Sequence, residues 1–371
     1  MAFDEKYMKR AIELAKKGVG AVNPNPLVGA VIVKDNKIIG EGYHARYGDL
    51  HAERAAFANL TEAADGAEMY VTLEPCCHHG KQPPCVEAIV QHNIATVYVG
   101  SDDPNAMVSG KGYEYLRERG IQVNTHVLKD ECDSINSVFF HYITKKTPYV
   151  VLKYAMTMDG KIATSTGESK WITGEQARNR VQHTRNMLTG IMVGIGTVLA
   201  DDPMLTCRLS GGRNPIRIIC DSKLIIPDDC NIVKTAKEVP TIVATCNSDN
   251  QRKIDLLNEA GIKIITVSSK DGHIDLSELM VKLGEEKIDG ILLEGGGTLS
   301  YSAVSQGIVN EVQMYIAPKI FGGRDAITAV EGTGVESPNL AMMFKLKETE
   351  IIGEDILLTY IRKEEEPCSQ E

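Results

Sequence analysis

Short apolar runs of strand character alternate with longer amphipathic stretches along most of the chain, and this alternation limits the possible folds more than any other feature. Such a series buries its strands in a sheet and packs the intervening helices on the faces, so the chain reads as α/β. Residues 4–17 set Tyr7, Met8, Ile12, Leu14 and Ala15 at helical spacing and stop at Gly18 and Gly20. Runs 28–33 and 38–42 read as strands joined by Lys34-Asp35-Asn36-Lys37, a polar link of hairpin length. Helix 51–60, strand 69–73, helix 86–92, strand 96–100, helix 112–119 and strand 122–127 follow.

The pattern is interrupted at Thr144-Lys145-Lys146-Thr147-Pro148, where charge and a proline precede a fresh strand at 149–154. Two domains are therefore expected, residues 1–147 and 148–371; a chain of 371 residues suits two cores better than one. The second series comprises helix 174–187, strands 190–193, 216–220 and 241–245, helix 251–260, strand 263–267, helix 276–283 and strand 290–294. Residues 363–371 are charged and almost without apolar side chains, which predicts a flexible tail.

Charge and hydropathy narrow the function. A formal net charge of −10 argues against a sequence-independent grip on nucleic acid. No apolar run approaches the roughly 20 residues that cross a bilayer. The opening residues lack the apolar core of a secretory signal, so a cytoplasmic location is expected. Most of the nine cysteines are scattered without the dense spacing of a disulfide framework.

Cys76 and Cys85 are the exception. His51-Ala52-Glu53 opens a predicted helix, Pro75-Cys76 follows a predicted strand, and Cys85 directly precedes another helix. His51, Cys76 and Cys85 supply the three protein ligands of a catalytic zinc, with a fourth position for water. Glu53, two residues from His51, is placed to stay off the metal and carry protons. The order His-x-Glu, Pro-Cys, Cys matches the zinc deaminase signature, apart from a wider spacing between the cysteines than Cys-x-x-Cys. A structural zinc knuckle completed by Cys77 or His79 is the alternative.

The wide spacing, Thr72-Leu73-Glu74-Pro75-Cys76-Cys77-His78-His79-Gly80-Lys81-Gln82-Pro83-Pro84-Cys85, resembles the deaminase domain of the bifunctional deaminase/reductase family of riboflavin biosynthesis. The resemblance includes Asn25-Pro26-Leu27-Val28-Gly29-Ala30-Val31 and Asp103-Pro104-Asn105, and it runs on through the second domain. It implies a cytidine-deaminase-like three-layer domain whose pocket is lined by Asn25, His44, His78, Lys81 and Asn105, with Lys81 and the imidazoles suited to a substrate phosphate and base edge. His44 has an alternative as an ordinary surface histidine.

Residues 148–371 contain no Gly-x-Gly-x-x-Gly opening a βαβ unit, so a Rossmann fingerprint is absent. Two glycine-rich stretches remain, at 193–203 and 293–299; the second follows a predicted strand and opens a helix, where bare backbone amides can face a pyrophosphate. With Lys153–Lys161 and Gly167–Thr173 these stretches resemble the reductase half of the same family, which has a dihydrofolate-reductase-like α/β fold. The resemblance implies that Ala155, Trp171, Thr197, Asp201, Ser222, Gly296, Gly297, Thr298 and Leu299 contact NADPH. It places Ser169, Arg185, Leu205, Arg208 and Glu294 at the phosphoribosyl substrate. Arg185 and Arg208 suit a phosphate by bidentate bonding. Ser222 and Lys223 suit the 2′-phosphate of NADPH, although the neighbouring Asp221 opposes it. Lys153 and Glu294, at strand ends, form the polar pair nearest the reacting sugar carbon. Trp171 has a core anchor as its alternative, and Lys153 a side chain reaching solvent.

The expected protein is thus an enzyme holding zinc and NADPH, acting on a small phosphoribosylaminopyrimidine, and assembling as a homo-oligomer. Two rivals are a free nucleoside or nucleic-acid base deaminase with an accessory domain, which wants a basic aromatic groove, and a zinc-structured regulatory protein that binds NADPH or flavin precursors without turnover.

Overall fold

The structure, a computed structural model, describes residues 4–79, 82–105, 108–247 and 249–363. The chain divides into two compact units, Met1–Lys146 and Thr147–Glu371.

In the first unit β1 (Gly29–Lys34) and β2 (Lys37–Tyr43) pair antiparallel around Asp35 and Asn36. Both turn residues have positive φ, 47° and 61°, as a two-residue primed turn requires. β3 (Glu68–Leu73) pairs antiparallel with β1, and β4 (Thr96–Ser101) and β5 (Gln122–Asn124) continue in parallel, giving the order β2-β1-β3-β4-β5. The last strand is shorter than the expected 122–127, because His126 and Leu128 take left-handed backbone, φ 65° and 50°, which ends an extended run.

Side chains alternate across this sheet. Ile32, Met69, Val71, Val97 and Val99 share a core with the helices Ala52–Ala58, Cys85–Gln91 and Lys111–Arg117. Val31, Val33, Tyr70 and Tyr98 share the opposite core with Tyr7, Met8, Ala11 and Ile12 of helix Glu5–Lys16. Three layers result. Helix Ala52–Ala58 lies so close on β2 that a Cβ at Gly42 would stand 2.2 Å from the backbone nitrogen of Ala56, which fixes the His51 end of that helix against the sheet.

The second unit is built on nine strands. β6 (Tyr149–Thr157), β7 (Gly190–Gly194), β8 (Ile216–Cys220), β9 (Thr241–Thr245) and β10 (Ile262–Thr266) come first in the chain. A small separate hairpin follows, β11 (Ser269–Lys270) with β12 (His273–Ile274). β13 (Gly290–Leu293), β14 (Glu311–Ala317), β15 (Phe344–Ile352) and β16 (Asp355–Arg362) complete the sheet, in the order β10-β9-β8-β7-β13-β6-β14-β16-β15. Pairing is parallel from β10 to β14 and antiparallel for the last two strands.

One face of this sheet, with Val150, Leu152, Met192, Ile218 and Ile291, packs on helix Leu276–Glu285 and Ala303 of helix Gly297–Ser305. The other, with Ile191, Val193, Ile219 and Val243, packs on Val198, Ile232 and Leu257. β14, β15 and β16 lie beyond the strands expected from sequence. β15 is an edge strand whose middle, Lys345 to Thr349, is exposed on both faces, so it carries no alternating pattern to read. Of the expected tail, 364–371 lies outside the described residues.

Candidate active sites

His51 is the N-cap of helix Ala52–Ala58, with extended backbone and no capping bond from its ring. Cys76 lies just beyond β3, and Cys85 is the first residue of its helix. Cys76 does not itself sit on a helix; its sulfur accepts the Cys85 N–H at 3.4 Å, so it caps the helix that Cys85 begins. His51 Nδ1 stands 3.5 Å from Cys76 Sγ and 3.4 Å from Cys85 Sγ. Zinc at about 2.3 Å from sulfur and about 2.0 Å from nitrogen, in tetrahedral geometry, sets its S and N ligands about 3.5 Å apart. The three residues therefore fit zinc without rearrangement.

Among the described residues no other His, Cys, Asp or Glu joins this cluster. Cys77 packs partly against the apolar core, and His79 faces Glu87 at 3.6 Å. A structural knuckle completed by either residue does not form. The Cys85 thiol donates to Cys76 and pulls the Cys76 pKa down, with His51 adding to the effect. Glu53 is 3% exposed; burial pushes its carboxyl above the ordinary range, and the negative charge on Cys76 pushes it further. A carboxyl raised in this way beside a metal site is suited to accept and return protons.

His51, Glu53 and Cys76 line a cleft of about 370 Å³ together with Asn25, His44, His78 and Asn105. His44 is buried, not a surface histidine: Nδ1 lies 3.0 Å from the Leu50 carbonyl, and Nε2 lies 3.2 Å from the Asn25 amide. Burial pushes its pKa down, and a neutral ring donating from Nδ1 can accept from Asn25 at Nε2. Lys81 lies outside the described residues. Sequence reasoning missed Asn136, whose buried amide accepts from Leu27 N at 2.8 Å and donates to Leu27 O at 2.9 Å, pinning the strand entry next to Asn25. It also passed over Glu74 and Asp103, both buried and both on the cleft wall.

A second cleft, of about 700 Å³, opens at the carboxyl ends of the parallel strands of the second unit, where α/β sheets place ligands. Lys153, Ala155, Ser169, Thr197, Asp201, Ser222, Glu294 and Gly296 through Leu299 line it. A Cβ built on Gly296 or Gly196 meets nothing within 4 Å, so at both places the backbone borders open space that a cofactor can approach. Asp201 pairs with Lys170 at 2.9 Å. Asp221 does not border the cleft; its buried carboxylate accepts the Ile226 N–H at 2.7 Å.

Lys153 and Glu294 are neighbours, since Leu152 and Leu293 pair on adjacent parallel strands. Burial pushes the Lys153 pKa down, with Glu294 opposing and Arg185 reinforcing the shift. Lys153 is half-buried on the cleft wall and lies in the middle of β6, not at a strand end as expected. Burial alone would raise the Glu294 pKa, but the charges of Arg185 and Lys153 bring it down to about 2. Arg185 is held in a two-pronged pair, Nε and Nη2 each 3.0 Å from a Glu294 oxygen, and its Nη1 donates to Thr206 O.

Four residues expected here, Arg185, Leu205, Trp171 and Arg208, stand elsewhere. Arg185 is not on the cleft wall and its guanidinium fork is taken by Glu294, so bidentate bonding to a phosphate requires that pair to open. Leu205 is buried in the core beneath the sheet with Ile191 and Val193, which leaves its side chain no access to a ligand. Trp171 is 57% exposed and lies 4.5 Å under the Arg178 guanidinium, sharing a separate shallow groove with Arg208; it is no core anchor.

Comparison with known proteins agrees with both halves. Residues 1–101 match the model of the cytidine and deoxycytidylate deaminase zinc-binding region, and residues 148–358 match the RibD C-terminal domain. The riboflavin biosynthesis protein RibD of Actinobacillus pleuropneumoniae is 53% identical over 358 residues, covering 96% of this chain and 95% of that one. That of Bacillus amyloliquefaciens is 42% identical over 97% of both chains. A solved diaminohydroxyphosphoribosylaminopyrimidine deaminase/5-amino-6-(5-phosphoribosylamino)uracil reductase from Thermotoga maritima is 39% identical. It covers 97% of this chain and 98% of its own, with a TM-score of 0.86. The chain therefore belongs to the RibD family of riboflavin biosynthesis, whose members join a zinc-binding deaminase domain to a dihydrofolate-reductase-like reductase domain.

Proposed function

We propose that residues 1–147 deaminate 2,5-diamino-6-(5-phosphoribosylamino)pyrimidin-4-one, and that residues 148–371 then reduce the ribosyl group of the product with NADPH to a ribitylamino phosphate. The observation that carries the first half is a buried acid, Glu53, two residues from His51 in a His51–Cys76–Cys85 cluster of zinc dimensions. His51, Cys76 and Cys85 would hold a zinc ion, which would supply the acidity that readies a water for attack near neutral pH. Glu53 takes a proton from the attacking water and delivers it to the departing amine. Asn25, His44, His78 and Asn105 present the hydrogen-bonding edge that orients the pyrimidine, and Lys81 serves the phosphate.

In the second unit NADPH supplies the hydride. The turn at Gly296 to Leu299 is suited to receive the pyrophosphate on backbone amides, and Ala155, Thr197, Asp201 and Ser222 are placed to hold the rest of the cofactor. Lys153, its ammonium made more acidic by burial, gives a proton to the sugar ring oxygen as the ring opens. Glu294 holds the neighbouring hydroxyls, while Ser169, Arg185 and Arg208 belong to the sugar phosphate end. Arg208 is the better placed of the two arginines, since Arg185 is engaged by Glu294.

Among the described residues no helix is long and apolar enough to cross a membrane. A cytoplasmic homo-oligomer that takes no nucleic acid completes the proposal. Ammonia release with and without a chelator, together with product masses with and without NADPH, tests it. Chelation should stop the first reaction, and omission of NADPH should stop the reaction at the deaminated product. Ammonia release untouched by chelation would overturn the metal assignment.

A further inference from the structure

We infer that Glu74 is a positioning residue for the deamination: its carboxylate fixes the segment carrying Asn105 to the loop carrying Cys76. This inference rests on the deaminase reading above. Glu74 is 3% exposed and stands two residues before Cys76, just past the end of β3. Its Oε2 accepts the N–H groups of Asp103 at 3.4 Å and Gly110 at 3.1 Å, and its Oε1 accepts that of Gly112 at 3.0 Å. Asp103 Oδ1 in turn accepts the Asn105 N–H at 2.8 Å. One carboxylate thus joins the ends of two neighbouring strands at the point where the sheet ladder stops.

Packing repeats the message. A Cβ at Gly112 would lie 2.4 Å from the Pro75 carbonyl oxygen and 3.0 Å from Glu74 Oε1, so the start of helix Lys111–Arg117 rests directly on the loop before Cys76. Engaged by three donors, Glu74 is not free to shuttle protons, and that task stays with Glu53. Its contribution is to keep Asn105 on the wall of the cleft. If the tie is cut, only a fraction of molecules present Asn105 correctly, and substrate affinity falls by that fraction. His51, Cys76 and Cys85 keep their own contacts and hold the metal as before.

The test is Glu74→Gln in the full-length zinc protein. The amide keeps the shape but turns an N–H₂ toward a backbone N–H, leaving a buried donor unmet, a loss worth on the order of tenfold or more in the competent fraction. The expected result is a KM for deamination raised about tenfold or more, with kcat little changed, one zinc retained, and the absorption of the cobalt-substituted protein unaltered. Gly112→Ala, which lifts the helix from the other side, should give the same split and serves if Glu74→Gln does not fold. Loss of metal with activity, a fall in kcat at constant KM, or an unchanged KM in both variants would overturn the inference. Failure of the wild-type protein to release ammonia would instead overturn the deaminase reading itself.

Discussion

The two clefts do similar work with different materials. In the first, the candidate working groups are side chains whose types chemistry dictates: one imidazole and two sulfurs that could hold a metal, and one buried carboxyl beside them. In the second, much of the wall is backbone at glycines, and the charged groups form an internal network of Lys153, Glu294 and Arg185 in which each sets the state of the others. A side-chain site fails when one ligand changes. A networked site should fail by degrees, and in stability as well as in rate.

The sharpest way to break this comparison is Cys85→Ser. Zinc content and ammonia release should be lost together, while reduction of the deaminated substrate continues at nearly the wild-type rate. An equal loss of reductase activity in folded protein would show that the units are not chemically independent. Next, Glu53→Gln should keep zinc and lower deamination about 10²- to 10⁴-fold; metal analysis beside steady-state rates reads both. Loss of the metal in this variant would return Glu53 to a structural role.

In the second cleft, Lys153→Met should lower turnover about 10²-fold or more while NADPH affinity, read by fluorescence titration, changes little. Glu294→Gln should act differently, because it leaves a buried guanidinium without its counter-charge, a loss of roughly 3–5 kcal/mol in stability. The pH dependence follows from a folded pKa of about 2 against an ordinary 4.5. The carboxylate's stabilisation is complete above the ordinary value and is lost as pH falls toward the folded one. Denaturant melts of the wild type should therefore show an acid arm between those two values that Glu294→Gln flattens. An arm of unchanged height would assign the acid sensitivity to other carboxyls. The smallest effect belongs to Gly296→Val, which should weaken NADPH binding and leave the melting temperature unmoved, because its added atoms meet only open space. A drop in stability without a change in NADPH affinity would remove this turn from the cofactor site.

The same contrast explains what could be read from sequence. His51, Glu53, Cys76 and Cys85 were legible because few residue types bind zinc or shuttle protons, and their spacing matches the ends of regular elements. The hairpin turn at Asp35-Asn36 was legible from its polar residues alone. Asn136 and Glu74 were not, since an amide or carboxyl that bonds backbone groups far away in sequence has no local signature. Arg185 looked like a phosphate ligand, because nothing in a linear string shows that Glu294 already fills its fork. Leu205 was assigned to the substrate by resemblance, and only packing reveals that it faces the core. Of the last three strands, β15 escaped because its middle is solvated on both faces, so burial left no period in its sequence; β14 and β16 are buried or half-buried along most of their length and were simply not read as strands.

That solvated edge matters for how the protein behaves at high concentration. β15 ends a nine-stranded sheet with one row of backbone donors and acceptors unpaired by any described strand, flanked by the exposed apolar side chains of Leu346 and Ile351. Such an edge is a template for adding foreign strands and for aggregation. Lys345, Lys347, Glu348 and Glu350 crowd its middle, where an incoming strand would have to bury or oppose their charges. They act as gatekeepers of solubility, and replacing Lys345 and Lys347 with valine would turn a guarded border into a growth point for insoluble assemblies, without touching either cleft.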